Sequence, residues 1–209
     1  DTPQFATAIL AREVPELRGG LLLDPCAGNC AMASYFSSRF DRVLCNDLDA
    51  QTPAPFHYDL RRRALWEGLR PSWVITNPPF FLVGEMINYC LDYCRAGFAL
   101  LVRLSVLEVC KGRERLSIAP PQRTIVLPRI RFSGRGTDSV TCAWLVWAEA
   151  KLSGPPTVCI SRRESQSPMH RDGSIGRRHE AINDERRSDQ EAINDERRDG
   201  TKRSGRTTR

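Results

Sequence analysis

Residues 160–209 of this 209-residue chain contain no tryptophan, tyrosine or phenylalanine and almost no other large apolar side chain. Such a stretch cannot bury enough surface to offset the ordering of its own backbone, which excludes a second globular core there. No apolar run approaches the ~20 residues of a membrane-spanning helix, and no secretory signal opens the chain. The expectation is therefore a cytoplasmic protein with no membrane partner. No pair of cysteines has Cys-x-x-Cys spacing, and none of the three histidines is suitably placed beside Cys26/Cys30 or Cys90/Cys94, so no metal site is expected. The chain is too long and too rich in core residues to need a disulfide framework, so its eight cysteines read as buried, reduced thiols. Neither sign of charge dominates. The net charge of +6 divides evenly, +3 in residues 1–159 and +3 in residues 160–209, which suits a polyanionic partner without demanding one.

What the last quarter does contain is a direct repeat. Glu180-Ala181-Ile182-Asn183-Asp184-Glu185-Arg186-Arg187 recurs as Glu191 to Arg198, eleven residues on. An eleven-residue period is compatible with a helix, but one branched apolar residue per copy buries nothing. The expected organisation is a folded domain over residues 1–155 and a charged, disordered tail over 156–209; a polyanion- or partner-binding tail is the alternative. A chain ending near residue 155 is expected to stay folded.

The first 159 residues alternate between two patterns. Helical spacing joins Phe5, Ile9, Leu10 and Val14, small residues with Met32, Tyr35 and Phe36 follow Ala31, and Gly84 to Arg95 reads as helix. Short apolar runs without alternation suit strands buried on both faces: Leu21-Leu22-Leu23, Arg42 to Cys45, Trp73 to Thr76 and Phe98 to Leu104, with a shorter one before Asp59. Thr124 to Leu127 and Thr141 to Ala148 add two late strands, separated by residues 128–140. Residues 111–123 read as a surface loop. The expected fold is α/β, a mainly parallel, doubly wound sheet with an antiparallel C-terminal strand.

Chemistry concentrates where strands end. Trp73-Val74-Ile75-Thr76 stops at Asn77-Pro78-Pro79-Phe80. Two prolines end a strand and are expected to delay the next helix, leaving a rigid corner that holds the Asn77 amide beside the Phe80 ring. Asp24-Pro25-Cys26-Ala27-Gly28 lies at a strand-to-helix turn, where glycine admits close approach of a ligand and a following helix offers free N–H groups. Asp47 follows nineteen residues after Gly28, about the spacing at which a nucleotide-binding βαβ unit places an acid for ribose hydroxyls. A plain Pro-Pro turn and a solvated carboxylate would explain each feature singly. The set is harder to assemble by chance.

Together these residues resemble the S-adenosylmethionine-dependent DNA adenine-N6 methyltransferases, within the Rossmann-like class I methyltransferases. Thr2-Pro3-Gln4-Phe5 is similar to their N-terminal cofactor-side motif, Asp24 to Gly28 to their glycine-rich first motif, Asp47 to the ribose-binding acid and Asp59 to the acid near the cofactor adenine. Asn77-Pro78-Pro79-Phe80 resembles the catalytic motif, the most specific of the five. Residues 131–147 look similar to small phage or prophage-type members. Where that family has a further glycine, this chain has Cys30, a position at which positive φ or a close backbone approach would be strained.

The resemblance implies S-adenosylmethionine as cofactor, held by Thr2, Phe5, Asp24, Cys26, Gly28, Asp47, Asp59 and Asn77, and DNA as partner, with no obligate protein partner. Adenine N6 is a poor nucleophile because its lone pair is delocalised. Acceptors on Asn77 and on the Pro78 carbonyl would favour the attacking nitrogen, Pro79 would stiffen the corner and Phe80 would stack on a base swung out of its duplex. Arg61, Arg62, Arg63, Arg129, Arg131 and Arg135 are candidates for phosphate contacts or simply a solvated basic face. The alternatives are a class I methyltransferase acting on an RNA base or a protein glutamine amide, and a nucleic-acid-binding protein that has lost its cofactor.

Overall fold

Each strand of the sheet sends alternate residues to opposite sides, and both sides are covered. In the computed structural model, which describes residues 2–106, 119–128 and 141–161, helices α1 (Gln4–Glu13), α2 (Ala31–Phe36), α3 (Arg63–Leu69) and α4 (Val83–Tyr93) flank strands β1 (Leu21–Asp24), β2 (Arg42–Cys45), β3 (Trp73–Thr76), β4 (Gly97–Arg103), β5 (Arg123–Val126), β6 (Cys142–Ala148) and β7 (Thr157–Cys159). Leu22, Ile75, Ala99, Leu101 and Trp144 pack with Ile9 and Leu10 of α1 and Phe36 of α2. Their neighbours Leu23, Val74, Leu100, Val102 and Leu145 pack on the other side with Trp66 of α3 and Met86, Ile87 and Cys90 of α4. This is why β1, β3, β4 and β6 show no polar alternation: each has two apolar faces to bury.

The strand order is β2-β1-β3-β4-β6-β5-β7. β1 pairs in parallel with β2 and β3, and β3 with β4; β6 runs antiparallel to both β4 and β5, while β7 returns to parallel pairing with β5. The mainly parallel sheet with a late antiparallel strand is thus as expected. Chain order moves outward from β1 to β2, then crosses back to β3 on the other side of β1. The switch point lies between the carboxyl ends of β1 and β3, where open α/β sheets hold ligands.

Two local expectations are corrected, and one element is new. The short strand before Asp59 is reduced to one isolated bridge, Asn46 to Phe56, because Asn46 spends its side chain on Pro25 O, Tyr58 O and Tyr58 N rather than extending a ladder. The Pro-Pro corner does not delay helix formation: a 3-10 turn over Phe80–Leu82 starts at once and runs into α4. Proline at a helix's N-terminal edge loses no needed N–H, so the pair ends β3 without obstructing the turn after it. Helix α3 had no sequence signal; it is fixed by Trp66, whose ring stacks on Tyr89 at 5.4 Å and whose indole N–H donates to Leu60 O at 2.8 Å.

The sheet also continues past residue 155. β7 adds a strand to the edge of β5, Ile160 N donates to Val126 O at 2.9 Å, and Ile160 is buried. A chain ending at residue 155 is therefore expected to lose about 2–3 kcal/mol relative to one ending at 161, the worth of one large buried side chain plus ladder bonds. Urea unfolding of the two would read it, and equal midpoints would show that β7 contributes nothing. The chain divides into two units at Ser167/Pro168, and every described residue belongs to the first. The expectations for the repeat, and for Arg129, Arg131 and Arg135, fall outside the described residues. Among those described, no helix is long and apolar enough to cross a membrane.

Candidate active site

The two turns singled out in the sequence stand at the carboxyl ends of neighbouring strands, one on each side of the switch point. After β3, the Asn77 amide nitrogen donates to Thr2 Oγ1 at 3.1 Å across 75 residues of sequence. That bond uses an amide N–H, and the Asn77 carbonyl oxygen has no hydrogen-bond partner among the described residues. Thr2 lies two residues before α1, which Trp144 of β6 anchors through its indole N–H to Ala6 O at 2.9 Å. The N-terminal segment and the Pro-Pro corner are thus one device, which no local pattern could have disclosed.

After β1, the glycine-rich turn is knitted to the end of β2. Gly28, at φ 51°, donates its N–H to Asp47 Oδ2 at 2.8 Å, Ala27 N–H reaches Asn46 O at 2.9 Å, and Ala31 N–H is taken by Asn29 Oδ1 at 3.0 Å. The N–H groups of Ala27, Gly28 and Ala31 are consequently engaged within the protein. Asp47 itself is held from three directions. Oδ1 accepts Asp49 N–H at 3.0 Å, its own N–H donates to Phe56 O at 3.0 Å, and its carbonyl faces His57 Nδ1 at 3.0 Å, which must carry the proton. Each carboxylate oxygen keeps a lone pair, and the half-buried position leaves it accessible to hydroxyl donors.

Cys30 adopts φ 60°, ψ 14°, the left-handed conformation that a glycine takes without strain. A side chain there costs about 1–2 kcal/mol, offset in part by glycine's larger unfolded-state entropy of about 0.5–1 kcal/mol. Cys30→Gly should therefore raise the midpoint of thermal unfolding by about 2 °C. A lower midpoint would show that the cysteine side chain supports the turn instead.

Beneath the turn, Asp24 is fully buried, with Oδ1 accepting Cys26 N–H at 3.3 Å and Oδ2 without a partner. Burial, with the Asp47 charge adding to it, pushes its carboxyl up to about 7. Thr76 Oγ1 lies beside it on the adjoining strand and also lacks a partner at hydrogen-bonding geometry; its proximity offsets burial only in part. Burial likewise pushes the Cys26 thiol up to about 12, so Cys26 is a neutral space-filler whose backbone shapes the turn. Phe5 packs half-buried against the adjacent core.

The basic cluster is less available than its sequence suggests. Arg61 makes a forked pair with Asp59, at 2.8–3.2 Å, and this guanidinium holds the Asp59 carboxyl down at about 2. Arg63 donates to Glu67 at 2.9 Å and to Tyr93 Oη at 2.6 Å. Arg62 alone of the three has no ion pair among the described residues. Sequence reading missed Arg103, the last residue of β4, whose guanidinium carbon lies 4.3 Å from the centre of the Phe80 ring. A charge ending an otherwise buried apolar strand was the available signal. No three His, Cys, Asp or Glu residues converge on a possible metal among the described residues.

No protein-family model matches the sequence, and no curated protein matches it either. Solved structures do. A precorrin-6y C5,15-methyltransferase from Geobacter metallireducens aligns over 71% of this chain and 89% of its own at 13% identity and TM-score 0.50. A chain described as the modification subunit of a type I restriction enzyme from Vibrio vulnificus aligns over 75% and 45% at 13% identity and TM-score 0.55. The type I restriction-modification methyltransferase subunit from Streptococcus thermophilus aligns over 71% and 44% at 15% identity and TM-score 0.50. The chain spans less than half the length of the two type I subunits. At these identities the likeness speaks to architecture, and with the strand order above it gives one conclusion: the chain has the Rossmann-like fold of the class I methyltransferases.

Proposed function

We propose that this protein transfers a methyl group from S-adenosylmethionine to a planar exocyclic nitrogen, the N6 amino group of adenine in DNA. The observation that carries the proposal is the Asn77–Thr2 hydrogen bond, which holds the amide through its nitrogen at the corner beside the glycine-rich turn and leaves its oxygen to accept from a substrate. An oriented acceptor is what a delocalised amino group requires. Accepting an N–H bond from it draws the nitrogen toward the geometry of attack and stabilises the positive charge that grows there, with no reorganisation at the moment of reaction.

The residues present fit the cofactor. Asp47 can accept from ribose hydroxyls with its remaining lone pairs, and the orphaned Asp24 Oδ2 and Thr76 Oγ1 mark a polar floor under the same turn. When bound, S-adenosylmethionine supplies an electrophilic methyl on a sulfonium. The chain's own part is alignment and acceptance. Asp47 and the Gly28 turn fix one reactant, Asn77 and the Pro78 carbonyl direct the other, and Phe80 gives a flat apolar surface for a base. Asp59, being paired with Arg61, contributes to the cofactor only if that fork opens. The half-exposed Phe80 ring with Arg103 upon it favours a nucleobase over a glutamine side chain, which has no aromatic face to stack.

The test is transfer of label from S-adenosylmethionine to DNA, RNA and protein fractions side by side, followed by nucleoside analysis. N6-methyladenine in the DNA fraction is expected. Label in RNA or protein alone would replace the substrate, and no cofactor binding by folded protein would leave only a nucleic-acid-binding role.

A further inference from the structure

Arg103 has no counterpart in the roles assigned so far. It ends β4, is exposed, and forms no ion pair with any described carboxylate. Extending the β3–β4 register from Thr76↔Leu100 brings Arg103 level with Pro79, so β4 outruns β3 just far enough to hang its last side chain over the corner. There the guanidinium lies 4.3 Å from the Phe80 centroid, well inside cation–π range. The other two such contacts in the described structure, Arg39 on Phe36 and Arg63 on Tyr93, stand at 6.0 and 5.9 Å, the limit of that range. Beside this pair Phe81 is 84% exposed, the most exposed large apolar residue described, so the corner presents aromatic surface and cation together.

A guanidinium stacked on a ring keeps its in-plane N–H fork free, because stacking uses the face and hydrogen bonding uses the edge. That fork matches the paired oxygens of a phosphodiester. From these facts we propose that Arg103 is a substrate-positioning residue: stacked on Phe80, it grips a backbone phosphate of a nucleic-acid strand and sets the ring against which the target base rests. The assignment rests on the nucleic-acid reading of the same site and narrows it. The substrate class is a strand carrying phosphodiesters, DNA or RNA, and the contact is independent of base identity. Of the cations expected at phosphate that lie among the described residues, Arg61 and Arg63 are already paired and Arg62 is not; Arg103 adds a second cation without an ion pair there.

Fluorescence anisotropy on the full chain, with a short labelled single strand supplied as DNA and as RNA, tests this without requiring methyl transfer. Arg103→Gln should weaken binding about tenfold and reduce the slope of log Kd against log salt by about 0.7, the release of one counterion from a single strand. Arg103→Lys should keep the slope yet lose affinity about threefold, because the charge remains while the planar fork is gone. In a Phe80→Leu background the Arg103→Gln loss should shrink, since the ring no longer holds the guanidinium. Wild-type affinity and slope in Arg103→Gln would overturn the proposal, as would failure of the unaltered protein to bind either strand, or binding of glutamine peptides alone. Equal losses in both backgrounds would overturn positioning through the ring. Wild-type binding that depends on Arg103, accompanied by no methyl transfer to any fraction, would remove the proposed chemistry and leave this assignment standing. In the transfer assay Arg103→Gln should raise KM for the strand more than it lowers kcat, whereas a merely structural role would lower apparent kcat through loss of folded protein and leave KM unchanged.

Discussion

Asn77→Ala is expected to lower methyl transfer by about 100- to 1,000-fold, the cost of removing one preorganised polar group aimed at developing charge. S-adenosylmethionine affinity, read by calorimetry, should change little. The separation comes from the geometry: Asn77 is tied to Thr2, while the glycine turn and Asp47 are held together by a different set of bonds. Thr2→Val offers a milder version. It keeps the shape of residue 2 but frees the amide to rotate, so transfer should fall by about tenfold, one hydrogen bond's worth of orientation. Parallel loss of cofactor binding and activity in Asn77→Ala would place the amide in the cofactor pocket and defeat its assignment to the target nitrogen.

The second large effect is on stability. Asp24 titrates near its ordinary value of 3.8 when the chain is unfolded and at about 7 when folded, because burial disfavours its anion. Between those values the folded state retains a proton that the unfolded state has released. Its stabilising contribution is therefore complete below pH 3.8, declines as pH rises, and is gone above about 7. A shift of about three units corresponds to roughly 4 kcal/mol. Protonation also turns Oδ2 into a donor next to the orphaned Thr76 Oγ1, which would satisfy both atoms. Asp24→Asn keeps the Oδ1 acceptor for Cys26 N–H and supplies an N–H in place of Oδ2. At pH 8 the variant should exceed the natural chain in stability by up to about 4 kcal/mol, and by little at pH 4. Denaturant unfolding at both pH values measures the difference. A gap independent of pH would mean that Asp24 is not the titrating group.

Much of the architecture was legible because it is written in short range. A parallel strand buried on both faces must be wholly apolar, and Leu21-Leu22-Leu23, Val74-Ile75 and Leu100-Leu101-Val102 each say so directly. The turn before α2 was legible through Gly28, and the doubtful residue within it, Cys30, does take the left-handed geometry that made it doubtful. What could not be read were features requiring two distant segments. α3 exists because Trp66 finds Tyr89, β7 because it finds the open edge of β5, and the fate of Arg61 and Arg63 depends on neighbours that already claim them.

The sequence by itself determined the strands, the glycine turn and the abrupt Asn-Pro-Pro-Phe corner, since propensity and proline stereochemistry act within a few residues. Only the tertiary structure decided which polar atoms remain available. It gave the amide of Asn77 to Thr2, the N–H of Gly28 to Asp47 and the ring of Phe80 to Arg103, and left Asp24 buried half-satisfied. The reason is that a strand's character is set along the chain, whereas the occupancy of a lone pair or a ring face is set across the ends of neighbouring strands, which one sequence window never spans.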